Sequence, residues 1–115
     1  KLMTEIISYD HFTATDLRVG TVVRAEPFPE ARKPAIKLWV DFGPQIGTLQ
    51  TSAQLTAHYT PETLVGRQIV GCINLGDKKI AGFTSQFLCT GFSDVNGGIV
   101  LISPEKPVPN GSKLH

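Results

Sequence analysis

No apolar run in these 115 residues approaches the roughly 18 that a bilayer-crossing helix requires, so membrane insertion is not expected. The chain also lacks a CxxC pair, an HExxH helix, a nucleophile elbow, the glycine spacing of a P-loop and any closely spaced acid pair. His11, His58 and His115 are scattered, which argues against a zinc site. Catalytic residues, metals and cofactors are therefore not expected. Cysteine is scarce. Cys72 and Cys89 each lie in an apolar, strand-like run and read as buried free thiols in a reducing compartment, with a disulfide between neighbouring strands as the alternative. Residues 1–9 hold no sustained apolar core followed by a small-residue cleavage site, so no secretory signal is read and a cytoplasmic protein is expected. A formal net charge of +1 removes any global pull toward polyanions.

What remains is one domain of turns and short strands, as eleven Gly and eight Pro imply. Residues 31–43 are the most informative. A basic pair, Arg32-Lys33, precedes Pro34, and then Ile36, Leu38, Val40 and Phe42 alternate with Lys37, Trp39 and Asp41. This is a strand with one core face and one face carrying a cation beside an indole. A helical turn is expected over 8–16, and strands over 18–28 (with Gly20 as a bend or bulge), 36–42 and 48–52. Thr60-Pro61-Glu62 has the look of a helix cap with a first-turn proline. Further strands are expected over 68–75 and 85–92, joined by a Gly-Asp-Lys-Lys turn, then Asn96-Gly97-Gly98 as a hairpin signal and a short strand over 99–102. The tail, 103–115, is too rich in proline for a long regular element. The plan is all-β: a five-stranded OB-fold barrel with a short N-terminal helix and a short helical insert between strands 3 and 4.

Charge is local rather than global. Residues 31–90 contain six cations (Arg32, Lys33, Lys37, Arg67, Lys78, Lys79) against three acids (Asp41, Glu62, Asp77). Arg32, Lys33 and Lys37 suit phosphates, and Trp39 either stacks a base, worth roughly 1–3 kcal/mol, or plugs the barrel. A second polar cluster runs from Asn74 through Lys78 and Lys79 to Ser85-Gln86. Its amides suit base edges and its lysines suit phosphates, while ordinary turn chemistry is the competing reading.

Three segments, Asp16-Leu17-Arg18-Val19-Gly20, Ala31-Arg32-Lys33-Pro34-Ala35 and Lys37-Leu38-Trp39-Val40-Asp41-Phe42-Gly43, resemble the CsaA family. So do Thr51-Ser52-Ala53-Gln54-Leu55-Thr56, Tyr59-Thr60-Pro61-Glu62 and Leu64-Val65-Gly66-Arg67-Gln68. That family lies within the wider tRNA-binding domain group, whose members also occur as appendages of aminoacyl-tRNA synthetases. The resemblance implies a homodimer joined through N-terminal (1–17) and C-terminal (103–115) extensions. It implies an ATP-independent, export-related chaperone of unfolded or exported polypeptides, in contact with the secretion machinery and able to bind tRNA. A stand-alone tRNA-binding protein, or a synthetase-associated delivery module without a chaperone role, is the alternative. Asn74, Leu75, Lys78, Lys79, Gly82, Ser85 and Gln86 match the group's Asn-Leu, basic-turn and Ser-Gln pattern. Gly76 and Asp77 depart from its usual Lys-Pro, removing a cation and adding an anion. Gln86 replaces the Glu common in CsaA proteins. The expected tRNA- and peptide-contacting set is Arg32, Lys33, Lys37, Trp39, Ser52, Asn74, Lys78, Lys79, Ser85 and Gln86.

Overall fold

The computed structural model describes residues 4–115, so residues 1–3 of the expected N-terminal extension lie outside it. In chain order the elements are α1 (Tyr9–Ala14), β1 (Leu17–Pro27), β2 (Ile36–Asp41), β3 (Thr48–Ala53), α2 (Pro61–Leu64) and β4 (Gln68–Cys72). Then follow β5 (Lys78–Ile80), β6 (Phe83–Ser85), β7 (Leu88–Cys89), β8 (Gly91–Ser93) and β9 (Ile99–Leu101). Period-two alternation builds the centre of the molecule. Ile36, Leu38 and Val40 of β2 are buried, while Lys37, Trp39 and Asp41 between them are half-buried on the opposite face.

Five strands form one antiparallel sheet in the order β3-β2-β1-β4-β7. The sheet curls until its edges nearly meet, and the Thr51 hydroxyl donates 2.7 Å to the Phe87 carbonyl across the gap. The result is the expected all-β, five-strand barrel of OB-fold type. Its interior packs Val22, Leu38, Val40, Phe42, Leu55, Leu64 and Ile69, with Phe42 edge-on to Phe87 at 5.0 Å. Each such side chain contributes about 1.5–3 kcal/mol on burial. α2 follows its cap signal, with Thr60 and Thr63 bonding reciprocally and Pro61 in the first turn. The C-terminal tail lies along β1, where Val19 N–H donates to the Ser112 carbonyl and Gly111 N–H to the Val19 carbonyl.

Several expectations change. Gly20 is neither bend nor bulge: it pairs regularly with Ile69, and a Cβ there would come within 2.5 Å of Val40 Cγ1. Close packing requires the glycine, and the bulge sits at Val23, between the Val22–Val40 and Arg24–Trp39 pairs. The strand expected over 68–75 ends at Cys72. The strand expected over 85–92 is broken into the end of β6, then β7 and β8, because Gln86 and Phe87 turn their polar groups toward β3. Lys78 and Lys79 form a strand rather than a turn. The turn is Ala81-Gly82, with φ of 48° and 81°, the positive pair that a tight two-residue hairpin needs.

The disulfide alternative fails on register. Cys72 lies opposite Leu88 and Cys89 opposite Gly71, so the two thiols project to opposite sheet faces and both are free. Burial pushes the pKa of the Cys89 thiol up to about 12, which disfavours its thiolate.

Candidate functional site

Two walls and an apolar floor define a groove of about 1050 Å³. One wall is the β1–β2 loop with Ala31, Arg32, Lys33 and Ala35. The other is the segment from Leu75 through Ile80, and Leu55, Phe87 and Leu88 lie between them. Five of the ten expected contact residues line this groove: Arg32, Lys33, Ser52, Lys78 and Ser85. Lys37, Trp39, Asn74, Lys79 and Gln86 lie outside its lining.

The second wall belongs to the β5–β6 hairpin, which is attached to β3 by side-chain hydrogen bonds and by one backbone bond, from Gln86 N–H to the Gln50 carbonyl at 2.8 Å. Gln50 N–H donates to Gln86 Oε1 at 3.0 Å, and Gln50 Nε2 donates to the Thr84 carbonyl at 2.9 Å. Ser52 N–H donates to Ser85 Oγ at 3.0 Å. The Ser85-Gln86 pair therefore closes the barrel seam, with Ser85 Oγ and Gln86 Oε1 already engaged. Asn74 is engaged too. Its amide donates 2.7 Å to the Ala14 carbonyl and its oxygen accepts 3.0 Å from Asp16 N–H, tying the end of α1 to the end of β4.

Phe83 docks the hairpin tip onto the outer face of β2. Its ring meets Phe28 at 5.6 Å and Trp39 at 5.9 Å, both edge-on. Lys37 Nζ lies 4.7 Å from the Phe28 centroid and 4.9 Å from that of Phe83, and the Arg24 guanidinium covers Trp39 at 4.4 Å. Arg24 is also ion-paired with Glu26. The indole is thus occupied by Arg24 and Phe83, a geometry that holds the hairpin and leaves less of Trp39 for a base. Lys37 is held between two rings as an oriented cation.

The sequence reading missed Ile80, Leu88 and Phe83, together with Gln50. Ile80 carried a signal: it stands two residues from Lys78, so a strand there puts both on one side. Gln50 carried none, since its partners are 34–36 residues away.

Elsewhere, His58 Nε2 lies 2.5 Å from Asp94 Oδ2 and joins the loop after β3 to the β8–β9 turn. That bond, followed by the N–H groups of Asn96 and Gly98, holds the Asp94 carboxyl below its ordinary range. The pair lies outside the groove lining. Among the described residues no cluster of three His, Cys, Asp or Glu could hold a metal ion, and no helix is long and apolar enough to cross a membrane. Chemically, the groove offers cations and an apolar surface, a combination for binding.

Residues 17–113 match the model of a putative tRNA binding domain. The structure superimposes on the CsaA chaperone of Bacillus anthracis strain Ames with a TM-score of 0.90 at 45% identity, covering 96% of this chain and 100% of that one. The CsaA chaperone of Picrophilus torridus matches with a TM-score of 0.88 at 36% identity over the same shares. A methionine–tRNA ligase of Methanothrix thermoacetophila is 42% identical over 110 residues, which is 96% of this chain and 16% of the ligase. The chain spans only 15–16% of the length of this and two other methionine–tRNA ligases that it matches.

Proposed function

We propose that this chain, which belongs to the tRNA-binding domain family and to the CsaA group within it, is an ATP-independent chaperone that holds unfolded or exported polypeptides and also binds tRNA. One observation carries the reading: the groove sets Arg32, Lys33 and Lys78 around an apolar floor of Leu55, Phe87 and Leu88. Cations alone would suit phosphates, and an apolar floor alone would suit a peptide. Together they suit both, by surface chemistry that needs no nucleotide and no covalent step. The reading extends to a cytoplasmic homodimer that hands clients to the secretion machinery. Exposed Tyr9 and Phe12, with ring centroids 6.1 Å apart on α1, supply an apolar patch for joining two chains. A single-chain mass in sedimentation would count against the dimer.

Competition tests the central reading. With tRNA pre-bound, an unfolded client should displace it, and the client's aggregation should be suppressed without ATP. Replacing Lys78 and Lys79 together by Ala should weaken tRNA binding and lower the salt slope by about one for each phosphate no longer neutralised. Binding that ignores salt, or a double variant equal to the parent, would sink the assigned patch.

The match to methionine–tRNA ligases favours a second reading, a module that delivers tRNA to a synthetase. Co-purification with a synthetase, and faster aminoacylation in its presence without any effect on client aggregation, would replace the chaperone reading.

A further inference from the structure

We propose that a polypeptide binds this groove as an added strand on the open edge of β5, and that the preferred segment alternates acidic and apolar residues. The proposal rests on the polypeptide half of the function above and names its geometry and its ligand class. β5 pairs only with β6 among the described residues, in the register Lys78–Ser85, Lys79–Thr84, Ile80–Phe83. Because the turn is the two-residue Ala81-Gly82, Ile80 and Phe83 exchange hydrogen bonds with each other. Pairs alternate along an antiparallel ladder, so Lys78 and Ser85 do the same, and Lys79 between them turns its N–H and carbonyl away from β6. All three β5 residues are exposed. Natural sheets usually cover or twist away such an edge, and peptide-binding domains leave one open for strand addition.

The side chains agree with this geometry. Lys78 and Ile80 line the groove and Lys79 does not, as strand alternation requires. A strand added beside β5 therefore places every second side chain over the groove. Those side chains meet Ile80 and Leu88, and across the groove Arg32 and Lys33. Arg32, Lys33 and Lys78 have no carboxylate within 4.0 Å among the described residues, and Asp77 is the only acid in the lining. The complementary segment carries carboxylates next to aliphatic side chains. Its carboxylates would compete with RNA phosphates for the same cations, whereas RNA has no N–H and C=O ladder to offer β5.

An octapeptide alternating Leu and Glu, titrated into the intact chain, tests this. It should bind and displace tRNA, and its Lys-for-Glu counterpart should not bind. N-methylation at successive backbone positions should give a sawtooth, each position that pairs with β5 costing about tenfold and its neighbours little. Lys79→Ala and Lys79→Pro lose the same charge, but only the proline loses the outward N–H and should weaken the peptide about tenfold more. A flat N-methylation profile on the wild-type chain overturns strand addition even if the proline variant misfolds, and while unfolded clients still bind it leaves the chaperone reading standing. Equal affinities for the two folded variants also overturn it. Retention of tRNA with no binding of any peptide or client overturns both the strand-addition proposal and the chaperone reading.

Discussion

The barrel sheet and the β5–β6 hairpin touch each other yet are held by different forces. In the barrel, Leu38, Val40 and Phe42 are sealed from water, and each strand is paired along its length. No residue of the hairpin is fully buried. It is attached by Phe83 between Phe28 and Trp39 and by bonds from Gln50 and Ser52. Apolar burial makes the first region the source of global stability. The second is a wall held by polar and edge contacts, the kind of element that opens locally first, and it supplies Lys78, Ile80 and Ser85 to the groove.

The sharpest way to break this contrast is to cut into each region once. Leu38→Ala removes a side chain with no solvent exposure, and should cost about 2–5 kcal/mol of unfolding free energy in a denaturant titration. Binding by the fraction that remains folded should be near normal. A cost below about 1 kcal/mol would mean that the barrel is not the stabilising unit.

Phe83→Ala should do the reverse. Phe83 is only half-buried, so the global cost should stay near about 1–2 kcal/mol. Hydrogen exchange at residues 78–85 should accelerate far more than exchange in β1 and β2, and client affinity should fall. If the barrel amides accelerate equally, the hairpin is part of the cooperative core and the two-region description fails.

The same contrast explains what the sequence made legible. Strands built by burial announce themselves through alternation: Ile36, Leu38, Val40 and Phe42 gave β2 and, with it, the barrel. Thr60, Pro61 and the Asn96-Gly97 turn were equally readable, because their chemistry acts within a few residues. The hairpin was not readable. Its strands are three residues long, its turn contains an alanine with positive φ, and its anchors come from β3. The structural bonds of Asn74 and Gln86 were not readable, because their partners at the end of α1 and in β3 lie 36 or more residues away. The charged half of the groove fared better. Arg32, Lys33 and Lys78 came from charge clustering, and the fold brought them to one groove.

The smallest effect tests whether a peripheral element can be loosened by charge alone. The β8–β9 turn is tied down at Asp94, whose carboxylate accepts from His58 and from the N–H groups of Asn96 and Gly98. These bonds favour the ionised form, so the folded-state pKa lies below the ordinary 3.8, with His58 the main cause. A depressed carboxylate stabilises the fold fully above its unfolded pKa and loses that contribution as pH falls through the folded value. Asp94→Asn keeps the shape and removes the charge. With His58 cationic, the stability gap between parent and variant should therefore hold steady and then shrink as the pH drops below 3.8. Because the carboxylate is partly open to solvent, the gap should be small, and faster exchange of the Asn96 and Gly98 amides should reveal it more clearly than the melting temperature. A gap that widens as the pH falls below 3.8 would reverse the sign and remove Asp94 as the anchor. If the gap narrows while hairpin exchange at 78–85 stays unchanged, the two peripheral elements are held independently, each by its own polar contacts to the barrel.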